Sequence, residues 1–176
     1  MSRQHFGYAD NAITINLDAI SANWRYIDGL SAPTTKTAAM VKANGYGLGC
    51  CEVAKVLVRT GCKLFFVASL NEAIELRDVF RQIGHAELPI MVLHGVHPGQ
   101  EPDFKANNLA PVLNDLEQIS RWRLYATKTS TTLPALLHFD TGMTRLGLDA
   151  DQANWLIQNR QALDGLRLIY IMSHLV

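Results

Sequence analysis

The side chains best placed to do chemistry are a lysine, an arginine and two histidines, each standing where a short apolar run meets a turn. Lys42 follows residues 37–41, which are β-branched or small and apolar, and precedes Gly45, Gly47 and Gly49. The apolar run reads as a short buried strand and the glycines forbid its continuation, so Lys42 falls at a strand's C-terminal end. In a parallel α/β sheet or barrel that end is where ligands bind. An amine walled there by apolar neighbours would have a lowered pKa and attack a carbonyl, which is what Schiff-base chemistry needs. The same position equally suits a solvated lysine that merely ends a strand. Two other readings of the glycines are excluded. No Gly-Lys-Ser/Thr follows as a P-loop requires, and the spacing lacks the two-residue gap of a dinucleotide fingerprint.

Tyr46 lies on the glycine turn, as a packing aromatic or as a phenol facing a ligand. Arg145 lies in Gly142-Met143-Thr144-Arg145-Leu146-Gly147, just beyond the apolar run 133–139, where a guanidinium that is always charged could grip an anion or sit on the surface. Asp140 closes that run and is placed to order the turn. His138 and His174 stand near two strand ends, where an imidazole can bind a ligand or satisfy itself on backbone groups. Cys50, Cys51 and Cys62 are odd in number, include an adjacent pair, and have no histidine at zinc-finger spacing. They read as reduced, partly buried thiols, and no metal site is expected.

The elements that position these groups alternate. Ile13, Ile15 and Leu17 alternate with polar residues as a half-buried strand would, after a loose polar lead-in over residues 1–11. Asp18 then opens a helix with Ile20, Trp24, Ile27 and Leu30 on one face. Further strands are expected at 37–41, 64–68, 90–93, 109–113, 133–139 and 166–172, that at 109–113 being broken by Pro111. Between them lie helices from Val53 to Gly61, from an Asn71 cap to Gly84, from an Asn114 cap to Ala126, and from Asp149 or Asp151 through Ile157, with a loop at 94–99. Strands alternating with amphipathic helices imply parallel βαβ units. A closed (β/α)8 TIM-type barrel needs eight strands and about 250 residues. The fold expected is therefore α/β, an incomplete (β/α)8 barrel with about six of its eight strands. Residues 1–176 are expected to be the N-terminal portion of a longer protein.

The 176 residues are 48% hydrophobic and 18% charged, with 16 basic against 16 acidic side chains. That balance gives no general reason to bind nucleic acid or an anionic membrane, so a small-molecule ligand is expected. No signal-like or membrane-length apolar segment occurs, and a cytoplasmic location is expected.

The stretch Val41-Lys42-Ala43-Asn44-Gly45-Tyr46-Gly47-Leu48-Gly49 resembles the pyridoxal-phosphate lysine motif of the alanine racemase family, and residues 140–147 resemble a second motif of that family, in the same order. The resemblance covers residues 12–175. It implies a barrel followed by a mostly β domain, the latter absent here. It further implies pyridoxal 5'-phosphate as cofactor, interconversion of L- and D-alanine by proton removal and return at Cα, and a homodimer when full length. It carries with it D-alanine supply for the cell wall.

By the same resemblance Lys42 is the Schiff-base lysine and moves the α-proton on one face, and Tyr46 helps hold the phosphate. Arg145 hydrogen-bonds the cofactor's phenolic oxygen and serves the substrate site, and His174 lies beside the pyridine ring. His138 is a departure, because many members carry at that place a lysine that becomes carbamylated and braces the arginine. Any brace here would come from a neutral imidazole or another group. The tyrosine base of the opposite face and the arginine at the pyridine nitrogen have no counterpart in this chain, so the chain alone is expected to be inactive. With its edge strands unpaired it is also expected to aggregate or stay molten. Other readings are a serine or broad-specificity racemase, a D-threonine aldolase, or a non-catalytic pyridoxal-phosphate carrier.

Overall fold

Six strands run in chain order across one parallel sheet: β1 (Ala39–Met40), β2 (Phe65–Val67), β3 (Ile90–Val92), β4 (Ala110–Leu113), β5 (Leu133–His138) and β6 (Leu166–Met172). Every neighbouring pair is parallel. This is a computed structural model, and it describes residues 13–175; the lead-in expected over residues 1–11 lies outside them. All six barrel-type strands expected from the sequence are present, and the sheet is not closed. Because the strands are parallel, their C-terminal ends share one edge of the molecule.

The helices are α1 (Leu17–Gly29), α3 (Cys50–Thr60), α4 (Leu70–Gln82), the short α5 (Glu101–Ala106), α6 (Leu116–Lys128) and α7 (Ala150–Gln158), with a 3-10 turn over Arg160–Leu163 before β6. A five-residue segment, α2 (Lys42–Tyr46), joins β1 to α3. The helices bury their apolar faces against the sheet through a cluster that includes Phe65, Val67, Phe80, Phe104 and Trp122. Phe80 of α4 meets Phe65 of β2 edge-on at 4.9 Å, and Trp122 donates its indole N–H to Pro134 O at 3.0 Å. Burying each such side chain is worth roughly 1.5–3 kcal/mol. A smaller cluster of Leu64, Met91, Ala110, Val112 and Leu136 forms separately from it.

Several boundaries differ from expectation for identifiable reasons. Residues 13–16 form no strand: Ile13 is 93% exposed, and without a sheet neighbour an alternating pattern has nothing to bury itself against. Helix α1 is capped by Asn16, whose Oδ1 accepts Ala19 N at 3.0 Å, not opened at Asp18. The cap of α4 is Ser69 in place of Asn71, because Glu72 completes a capping box with it. Asp115 caps α6, which frees Asn114 for another task. Pro111 lies within β4 without breaking it: it pairs with Val92 on the β3 side, and the register with β5 begins one residue later at Val112. Helix α5 had too few apolar positions to show a period, and Phe104 alone anchors it in the core.

At the opposite end of the sheet the loops entering β3 and β4 are tied together by a buried arginine. Arg77 of α4 donates to the carbonyls of Asn107, Ala86, Leu88 and Asn108 at 2.9, 2.5, 2.8 and 2.9 Å. No carboxylate is needed there, because four carbonyl oxygens occupy the fork.

Candidate functional site

At the C-terminal end of β1 the chain reverses handedness. From Ala43 to Gly47 every residue has positive φ, between 51° and 82°. Three of these residues, Ala43, Asn44 and Tyr46, carry a Cβ that makes this conformation cost roughly 1–2 kcal/mol each. Hydrogen bonds repay it. Gly45 N donates to Val41 O and Gly47 N to Ala43 O, both at 2.9 Å, while the Asn44 side chain accepts the N–H of Cys50, the first residue of α3, at 2.9 Å. The strand ends at Met40, and Lys42, one step beyond the expected strand end, immediately precedes the left-handed residues. Lys42 is half-buried and its Nζ lies 5.9 Å from the centre of the exposed Tyr46 ring, within cation–π range.

Cys50 is half-buried, and burial, together with the Cys51, Glu72 and Glu75 charges, pushes its pKa up to about 11, which keeps it protonated at neutral pH. Cys51 is exposed and Cys62 is buried. Among the described residues no three His, Cys, Asp or Glu side chains converge as metal ligands.

The second group lies across the sheet, at the ends of β5 and β6. His138 is buried, and its Nδ1 meets Asn114 Oδ1 at 2.8 Å. The Asn114 amide donates to Leu93 O and Val112 O, each at 2.9 Å, so its oxygen is the atom turned toward the imidazole. Nδ1 is therefore the donor and Nε2 the free acceptor of a neutral ring. Burial lowers the His138 pKa, the Arg145 and His174 charges act in the same direction, and Asp140 opposes them. Gln118 extends the net, accepting Asn114 N and donating to His94 O, both at 3.2 Å. A Cβ on Gly95 would stand 2.7 Å from Val112 O and strike the Gln118 side chain, so this position admits only glycine.

The loop that carries Arg145 is pinned as the sequence suggests. Asp140 Oδ1 accepts Gly142 N and Thr144 N at 2.9 and 3.0 Å, and these two N–H groups hold its carboxyl below the usual range. Arg145 itself is exposed on this loop, and the partner His138 takes is Asn114, not Arg145. His174 is exposed just beyond β6 and donates Nδ1–H to Leu175 O at 2.8 Å. The structure thus gathers His138, Asp140, Arg145 and His174 at one edge of the sheet and Lys42 with Tyr46 at the other, all on the strand-end side. Asn114 and Gln118 were not anticipated as part of the site; the adjacent Asn114-Asp115 pair was the available signal, since only one of them could cap α6.

The family model for the alanine racemase N-terminal domain matches residues 15–176. The chain belongs to the alanine racemase family. It is 42% identical to the catabolic alanine racemase of Agrobacterium fabrum (strain C58 / ATCC 33970) over 173 residues, which are 98% of this chain and 43% of that protein. It is also 42% identical to the alanine racemase of Rickettsia prowazekii (strain Madrid E), covering 93% of this chain and 39% of that protein. The chain thus spans less than half the length of these relatives. Among solved structures it resembles alanine racemase from Bartonella henselae with covalently bound pyridoxal phosphate, with a TM-score of 0.85 and 36% identity over 92% of this chain and 46% of that one. It also resembles histidine racemase from Leuconostoc mesenteroides subsp. sake NBRC 102480, with a TM-score of 0.77 and 26% identity over 91% of this chain and 42% of that one. The open parallel sheet is accordingly an incomplete (β/α)8 barrel of the alanine racemase type.

Proposed function

We propose that this chain is the N-terminal part of a pyridoxal-phosphate-dependent amino-acid racemase, an isomerase that interconverts L- and D-alanine, with residues 1–176 forming the first portion of its cofactor-binding barrel. The observation that carries the reading is the place of Lys42, a half-buried primary amine at the C-terminal end of β1, immediately before a left-handed turn. Family membership and the relatives' names support it.

The side chains present fit the cofactor in kind. Lys42 supplies an amine for an aldehyde carbon, Tyr46 a phenol for a phosphate, Arg145 a fork of donors for a phenolic oxygen and for substrate, and His174 an imidazole for the ring. When bound, pyridoxal phosphate delocalises the electron pair left at Cα as the proton departs. Lys42 would hold the cofactor, and its free amine would take or return that proton on one face. The opposite face needs a second proton carrier, which the resemblance assigns to a tyrosine of a partner subunit, so the complete reaction is proposed for a homodimer of the whole protein. This chain alone is proposed to be inactive. A cytoplasmic place in D-alanine supply for the cell wall is part of the same proposal. Among the described residues no helix is long and apolar enough to cross a membrane.

A second reading, a racemase for another amino acid, is favoured by the similarity to histidine racemase. The test is twofold. Incubation with pyridoxal phosphate and reduction with borohydride should attach the cofactor to Lys42, as read by peptide mass, and Lys42→Ala should abolish both the label and the visible absorbance. In the full-length protein, racemisation of a panel of L-amino acids should be fastest for alanine. Undiminished labelling and absorbance in Lys42→Ala would refute the assignment, and faster turnover of histidine would favour the second reading.

A further inference from the structure

We infer that Glu72 is a positioning residue for Lys42, acting through the backbone of the turn and never touching the amine. One carboxylate oxygen, Oε1, accepts the N–H of Ala43 at 2.7 Å. The other, Oε2, accepts the N–H groups of Ala68 and Ser69 at 2.7 and 3.2 Å, where β2 passes into α4. A single side chain therefore fastens the strand end of β1 to that of β2. Its two oxygens are used on two different elements, and only a carboxylate offers acceptors on both sides. Ala43 is the residue next to Lys42 and the first with positive φ, at 51°. Its N–H takes this charged acceptor at the point where the handedness of the chain reverses. The capping-box spacing of Ser69 and Glu72 would account for the Oε2 contacts alone; the Oε1 contact, 29 residues back along the chain, serves no cap. The consequence is that Glu72 decides where the Lys42 and Tyr46 side chains start, and this inference rests on the reading of Lys42 as the cofactor-binding amine.

Three variants separate positioning from capping. Ser69→Ala removes the other half of the capping box and leaves the Ala43 contact. Glu72→Gln offers an N–H group toward one of its two sets of donors. Glu72→Asp keeps a negative charge in the first turn of α4, which suits that helix end, but is one methylene short of Ala43. The expected result, in the full-length protein, is that amide exchange at Ala43 accelerates at least about tenfold in Glu72→Gln and Glu72→Asp, and stays within about twofold of wild type in Ser69→Ala, with core amides of β5 and α6 protected throughout. The rate of pyridoxal-phosphate labelling at Lys42 should fall in the same two variants only. Equal exchange in all three variants, or normal Ala43 protection in Glu72→Asp, would overturn the inference. A wild-type chain that takes no label at Lys42 while Ala43 still distinguishes the variants would sink the cofactor reading and leave the clamp supported.

Discussion

Lys42 stands where the backbone is about to turn left-handed, between buried Val41 and exposed Ala43, whereas His138 ends β5 deep in a net of side-chain hydrogen bonds. The first edge is held by conformation: five successive positive φ angles, main-chain bonds between Val41 and Gly49, and the Asn44 side chain on Cys50 N fix where the amine emerges. The second is held by composition: Asn114, Gln118 and the Leu93 and Val112 carbonyls fix which nitrogen of the imidazole carries a proton. The difference teaches that the two edges fail differently. A left-handed turn tolerates exchange of exposed side chains if small or Asn-like residues remain, while a buried polar net loses several bonds when one member changes.

Breaking the second edge should have the larger effect. In the full-length protein Asn114→Leu strands the His138 N–H and removes a donor from the Leu93 and Val112 carbonyls, so a loss of about 2–4 kcal/mol is expected, read as a lower urea midpoint. The amide exchange of residues 41–49 should be unaffected by it. Gly45→Ala attacks the first edge: its Cβ would lie 3.2 Å from Cys50 N at a φ of 64°, and about 1–2 kcal/mol should be lost. Here exchange should accelerate in residues 41–49 and leave His138 untouched, and the double variant should show the sum of the two losses. A clear departure from additivity would mean that the edges are coupled.

The smallest effect is in pH. His138 has a folded pKa below its ordinary 6.5, so the unfolded chain binds more protons in the window between the two values, and stability falls as the pH drops through it. One proton contributes at most about 1.4 kcal/mol per pH unit. His138→Gln, which keeps a donor for Asn114, should flatten the decline in stability between pH 7 and pH 5. An unchanged decline would place the titrating group elsewhere.

The six strands were legible because short apolar runs bounded by Gly, Pro and Asn leave few alternatives, and residues 166–172 matched β6 to the residue. Residues 13–17 misled because alternation signals a strand only where a neighbour exists to pair with it. The positions of Lys42 and Arg145 could be read from their turns, since glycine spacing and Asp140 mark where strands end. The His138 net could not. Asn114 and Gln118 lie 24 and 20 positions from His138 in sequence, so only the parallel pairing of β4 with β5 makes them neighbours of it. Glu72 was half legible, because its capping box with Ser69 is a sequence pattern, whereas its reach to Ala43 depends on β1 lying beside β2.

Strand order that repeats chain order also has a consequence for synthesis. Each strand pairs with the one finished just before it, so every new βα unit finds its partner already waiting as the chain leaves the ribosome. Sequence separation between paired strands stays short, and loop closure is correspondingly quick. The sheet can grow vectorially, one unit at a time, with the unsatisfied edges confined to β1 and to the newest strand.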